Sequence, residues 1–249
     1  MSMFTFKHYY ALQKHDLFSL TETTILVEGG NVWKGDLATV RIDRKNVVPT
    51  VQFLERIVGF PLVNTMVGTT GKAPTSGDID LLIDASKHDK EDVVNRLKAW
   101  AAKNDPKALV KKSGINVHFR TPINGNPNSG YVQTDMMFMP DTSFATWSMA
   151  SPEQSSYKNV HREILIRSIA KFLGLRYSWM NGLTSRATGN VIPGGKDPET
   201  IAHVLLGPGA KPEDLMSVES IMAKLKNDPD RDAKLADARE TLGKEGIQL

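Results

Sequence analysis

The stretch Asp78-Ile79-Asp80-Leu81-Leu82-Ile83-Asp84 constrains this chain more than any other. Its polar and apolar residues alternate at the start, and its β-branched and leucine content suits a buried strand. Residues two apart in a strand point the same way, so Asp78 and Asp80 share one face while Ile79, Leu81 and Ile83 enter a core. Two carboxylates about 6–7 Å apart along a strand repel each other, and apolar neighbours worsen the repulsion. A divalent cation relieves it. Oxygen-only ligands of this kind suit Mg²⁺ or Mn²⁺ rather than zinc.

A third aspartate sits in an equally apolar setting, Tyr131-Val132-Gln133-Thr134-Asp135-Met136-Met137-Phe138-Met139. Such a carboxylate is costly unless it is paired or metal-bound. Within the segment 115–122, residues 115–120 alternate cleanly, with Ile115, Val117 and Phe119 on one face and Asn116, His118 and Arg120 on the other. The turn-rich 124–129 segment makes these two strands a hairpin. Pairing Arg120 with Tyr131 sets His118 opposite Gln133 and Asn116 opposite Asp135. That register collects the polar residues on one face, where Asp78, Asp80 and Asp135 can converge.

The segment before Asp78 offers Gly68, Thr69, Thr70, Lys72, Ser76 and Gly77. Glycine admits close backbone approach, the hydroxyls and lysine suit an anion, and backbone amides beside a metal can cradle a triphosphate. It is not a Walker loop, because Gly71-Lys72 is followed by Ala73.

Elsewhere, apolar spacing predicts helices over 46–57, 90–103 and 157–173, with Val160, Ile164, Leu165, Ile169 and Phe172 on the buried side of the last. Further helices are expected near 201–206, 211–225 and 230–244, a buried strand over 61–67, and a short hairpin within 182–198. Residues 1–45 carry aromatics (Phe4, Phe6, Tyr9, Tyr10, Phe18) and a Gly29-Gly30-Asn31 turn without sustained period. This divides the chain into an α/β core with an N-terminal extension over 1–150 and a mostly helical region over 151–249.

Composition narrows the chemistry. With no cysteine, thiolate nucleophiles, disulfides and zinc–thiolate sites are excluded. The 31 basic and 28 acidic residues give a net charge of only +3, which does not by itself identify a nucleic-acid binder. The first eight residues lack a charged head before an apolar run, so no secretory leader is expected. No apolar stretch approaches the roughly 18–20 residues of a membrane span, and a cytoplasmic protein without membrane partners is the expectation.

Gly68-Thr69, a short loop, Ser76-Gly77-Asp78-Ile79-Asp80 and a lone later aspartate together resemble the nucleotidyltransferase superfamily of family X (polymerase beta-like) DNA polymerases, over residues 60–140. The wider layout, including Val27-Glu28-Gly29-Gly30-Asn31, resembles phage-encoded nucleotidyltransferases. The resemblance implies an α+β fold, with a palm-like mixed-sheet core and a C-terminal helical region. It implies two Mg²⁺ (or Mn²⁺) ions on Asp78, Asp80 and Asp135, and NTP phosphates against Gly68, Thr69, Lys72, Ser76 and Gly77. Thr69 replaces the family's usual serine and keeps the hydroxyl. The arginines often found after that motif are missing, with Lys72 the nearest substitute.

The implied activity is transfer of an NMP from an NTP to a hydroxyl, with release of pyrophosphate. The acceptor expected first is nucleic acid, a tRNA or a 3′ end, because Lys107, Lys111 and Lys112 lie near the core and the sequence pI is basic, about 8.9. A toxin-like or antibiotic-type enzyme modifying a protein or small molecule, and a catalytically silent nucleotide-binding module, are the alternatives. Tyr157, Lys158 and Arg162 either reach back to the nucleotide or form a solvated first turn. Tyr177 and Trp179 either stack on a base or pack in a core. Neither oligomeric state nor base preference follows from these residues.

Overall fold

The computed structural model describes residues 32–152 and 154–249. In chain order its elements are β1 (Ile42–Asp43), α1 (Arg44–Val58), β2 (Thr75–Ser76), β3 (Asp78–Asp84), α2 (Lys90–Asn104), β4 (Val110–Ser113), β5 (Asn116–Pro122) and β6 (Tyr131–Met139). There follow α3 (Ser143–Ser148), α4 (Asn159–Phe172), β7 (Leu175–Ser178), β8 (Gly182–Ser185), α5 (Pro198–Leu206), α6 (Val218–Lys224) and α7 (Arg231–Gly243). The protein is α+β. Its main sheet is mixed, ordered β3-β6-β5-β4, with β3 parallel to β6 and the other pairs antiparallel.

One face of that sheet is dry. Ile79, Leu81, Ile83, Val117, Phe119, Val132, Met136 and Phe138 pack against Val47, Val51 and Leu54 of α1 and Val93, Val94 and Leu97 of α2. Each large side chain buried there contributes about 1.5–3 kcal/mol. Helix α1 presents Val47, Val51, Leu54 and Val58 at helical spacing and stops at Gly59, whose φ of 85° only glycine adopts readily. Helix α2 begins where the Asp89 carboxylate accepts the Asp92 amide at 2.8 Å.

The opposite face divides along its length. Leu82, Met137 and Met139 close one end with Val67 and Ala145, joined by the half-buried Met149, Trp179 and Met180. Asp78, Asp80, Gln133, Asp135 and His118 occupy the other. A separate apolar cluster assembles α4–α7 around Leu165, Ile169, Leu205, Ile221 and Leu235. The described elements fall within one compact unit, Asn31–Leu249. No helix among the described residues is long and apolar enough to cross a membrane.

Several expectations are corrected. Residues 61–67 do not form a strand. Pro61 lacks an amide hydrogen, and the Glu55 carboxylate takes the next two, Leu62 at 2.6 Å and Val63 at 2.9 Å. The chain therefore turns as a short 3₁₀ segment at Val63–Thr65 before Met66 and Val67 reach β3. The hairpin register is shifted by two: Arg120 faces Gln133, His118 faces Asp135 and Asn116 faces Met137. A shift of two preserves parity, so the polar face survives while each cross-strand partner changes.

Helix α4 buries His161, Arg162, Leu165, Ile166, Ile169 and Ala170, whereas Phe172 is exposed. The helix lies between α7 and β7, which rotates its buried stripe from the expected one. Residues 211–225 are broken at Ser217, whose hydroxyl accepts the Ser220 amide and starts α6 afresh. The second hairpin pairs β7 with β8 and so begins earlier than 182. The aromatics before residue 19 and the Gly29-Gly30-Asn31 turn lie outside the described residues.

Candidate metal and phosphate site

The parallel pairing of β3 with β6 sets Asp80 directly beside Asp135 and Asp78 beside Gln133. One carboxylate oxygen from each of Asp78, Asp80 and Asp135 lies within 4.8 Å of the others. Three anions at this separation cannot all remain bare at low energy. Burial, then Asp78, then Asp135 push the Asp80 carboxyl well above the usual carboxylate range. The donor set fits a hard divalent cation, being all carboxylate oxygen and already convergent. The third acid on the same strand face, Asp84, is different: Lys87 and Ser86 satisfy it and hold its pKa at about 2.

Asp135 is held by two donors. His118 Nδ1 lies 2.7 Å from one oxygen and Gln133 Nε2 donates to the other at 3.0 Å. A hydrogen on Nδ1 would make the imidazole the donor in this contact. Gln133 is oriented in turn by the Val32 amide, 2.7 Å from its Oε1. This chain of contacts fixes the carboxylate's rotation before any ligand arrives. Arg120 shares the face but serves another purpose: it donates to the Leu37 and Lys107 carbonyls and lies over the Tyr131 ring.

The loop from Gly68 runs along the free edge of β3. Val67 donates to the Asp80 carbonyl at 3.1 Å, and the Asp80 amide donates to Thr70 Oγ1 at 3.1 Å. Gly68, at φ 65°, lies so near the site that a Cβ there would stand 3.5 Å from Asp80 Oδ2. Ser76 is buried with its hydroxyl unpartnered, whereas Thr69 is exposed. Lys72 donates to the Ser151 carbonyl at 2.7 Å, so its charge is partly engaged by the chain itself.

That contact belongs to a strap over residues 148–151. Gly68 donates to the Met149 carbonyl at 3.0 Å on one side of it. On the other, Arg162 donates to the Ser148 and Ala150 carbonyls at 2.5 and 2.6 Å. Arg162 is 2% exposed, so it forms no solvated first turn, and its guanidinium is spent on the strap. Tyr177 is buried, its hydroxyl 2.5 Å from Ser148 Oγ, and Trp179 packs with the apolar end of the sheet. Both are packing residues here.

Sequence reasoning missed Arg41. It lies on the strand edge at Thr75, donating to Thr75 Oγ1 at 3.0 Å and Thr75 O at 2.9 Å. No local pattern announces it, because β1 and β2 are two residues each and far apart in the chain. No protein-family model matches the chain, and no curated protein matches it.

Proposed function

We propose that this protein is a divalent-metal-dependent nucleotidyltransferase with a polymerase beta-like palm within residues 32–150 and a helical region after it. The observation that carries the reading is the convergence of Asp78, Asp80 and Asp135 within 4.8 Å beside the loop that starts at Gly68. Asp78, Asp80 and Asp135 would hold Mg²⁺ or Mn²⁺, which would supply charge neutralisation for a triphosphate and acidify a bound hydroxyl. The acceptor oxygen attacks the α-phosphorus, forming an O–P bond as the bond to the β-phosphate's bridging oxygen breaks. Pyrophosphate leaves with that electron pair, and the hydroxyl proton passes to Asp135 and then to water. Asp135 is suited to stand beside the acceptor because His118 and Gln133 fix its orientation. Gly68, Thr69, Ser76 and Gly77 line the approach of the phosphates.

Nucleic acid is the acceptor the surface favours. Lys111 stands in register with His118, extending the row Asp80–Asp135–His118 across the sheet with an exposed cation. Lys112, by contrast, is paired with Glu91. The test is incubation with each labelled NTP, Mg²⁺ or Mn²⁺, and pools of tRNA, oligonucleotides and cell protein. Metal-dependent label transfer to RNA or DNA, lost in Asp80→Ala and Asp135→Ala, is expected. Full transfer by either variant would overturn the site.

A further inference from the structure

We propose that Arg41 is the fixed cation that receives the β- and γ-phosphates of the incoming NTP, an assignment resting on the nucleotidyltransferase reading above. Three observations carry it. First, Arg41 is exposed, yet its side chain is held in place by Nε to the Thr75 hydroxyl and Nη2 to the Thr75 carbonyl. Both partners are neutral, and among the described residues no carboxylate pairs with it. Its charge is therefore positioned but not neutralised.

Second, its third nitrogen reaches Gly77. A Cβ on Gly77 would lie 3.4 Å from Arg41 Nη1. The Gly77 backbone does not have the positive φ that usually explains a glycine. The Arg41 guanidinium occupies the space beside it, at ordinary van der Waals distance from where a side chain would begin. Asp78 is one Cα step further, about 3.8 Å along the chain. The cation thus lies beside the chain segment that leads directly into Asp78.

Third, the alternative cation is held at a different place: Lys72 Nζ donates to the Ser151 carbonyl of the strap at 2.7 Å. A triphosphate entering a site of three carboxylates meets strong repulsion, which metal ions only partly offset. A guanidinium answers it with planar, charge-assisted donors suited to phosphate oxygens. Next to Gly77, the Ser76 hydroxyl is buried and has no hydrogen-bond partner.

The experiment compares equilibrium binding of an NTP and the matching NMP in Ca²⁺, using the full chain and its Arg41→Ala, Arg41→Lys and Lys72→Ala variants. Arg41→Ala should weaken NTP binding about 10–100-fold, the scale of lost charge-assisted contacts, and leave NMP binding within about threefold. Arg41→Lys should recover part of the loss, since charge returns without the fork. Unchanged NTP binding by Arg41→Ala overturns the proposal, as does an equal loss for NTP and NMP. An NTP-selective loss confined to Lys72→Ala gives the role to that residue and also overturns it. If the unsubstituted protein binds no NTP with any divalent cation, the nucleotidyltransferase reading falls and this proposal with it.

Discussion

Asp80 concentrates the electrostatic tension of the molecule. Its folded-state pKa is raised, by burial first and then by Asp78 and Asp135. A carboxyl raised in this way contributes stability below its unfolded pKa, near 4, and that contribution is lost as pH rises through the folded value. Without metal, the protein should therefore weaken as pH climbs from about 4 upward, while Mg²⁺ restores the loss. Calorimetry in EDTA and in Mg²⁺ should give curves that diverge with pH; parallel curves would contradict this account. Asp80→Asn removes the repulsion and should raise the metal-free melting temperature by about 2–4 °C per kcal/mol recovered. Around Asp135, His118→Ala or Gln133→Ala should cost about 10–100-fold in Mn²⁺ affinity by calorimetric titration, with the fold kept. A loss in Gln133→Ala alone would mean that the imidazole is only a neighbour.

At the scale of elements, the strap over 148–151 joins the helical cluster to the loop that starts at Gly68. Arg162 satisfies two of its carbonyls from one side, and Gly68 and Lys72 bind it from the other. Arg162→Met keeps the apolar stem but leaves buried carbonyls without donors, at about 1–3 kcal/mol each. Urea unfolding should show that loss, and the site should bind NTP more weakly although Arg162 touches none of it. Stability lost with NTP affinity intact would uncouple strap and loop. This strap was not legible in the sequence, because Arg162 sits on an ordinary helical repeat and its partners are backbone atoms. The strands carrying Asp78, Asp80 and Asp135 were legible, because apolar alternation and isolated acids leave a local trace. Register was legible only in parity: Asn116, His118 and Arg120 fall on the expected face, two positions from their expected partners. The 61–67 segment looked like a strand because its capping group, Glu55, lies in the preceding helix.

For the whole molecule, the spacing of Asp78, Asp80 and Asp135 is set largely by sheet pairing. A cation bound by these three would then be linked to global folding. At a hundred times its dissociation constant, a cation bound only by the folded state adds about 2.7 kcal/mol, or about 5–10 °C in melting temperature. Thermal scans with Mn²⁺ should show that rise in the native chain and not in Asp135→Asn; an equal rise in both would move the cation elsewhere. The order of strands has another consequence. The parallel neighbour of β3 is β6, made only after α2, β4 and β5. On the ribosome, Asp78 and Asp80 emerge well before the strand that completes their set. A nascent chain cut short before β6 presents β3 without its sheet partner, exposed to misassociation and without the third carboxylate. The three carboxylates come together only once β6 has emerged and paired with β3.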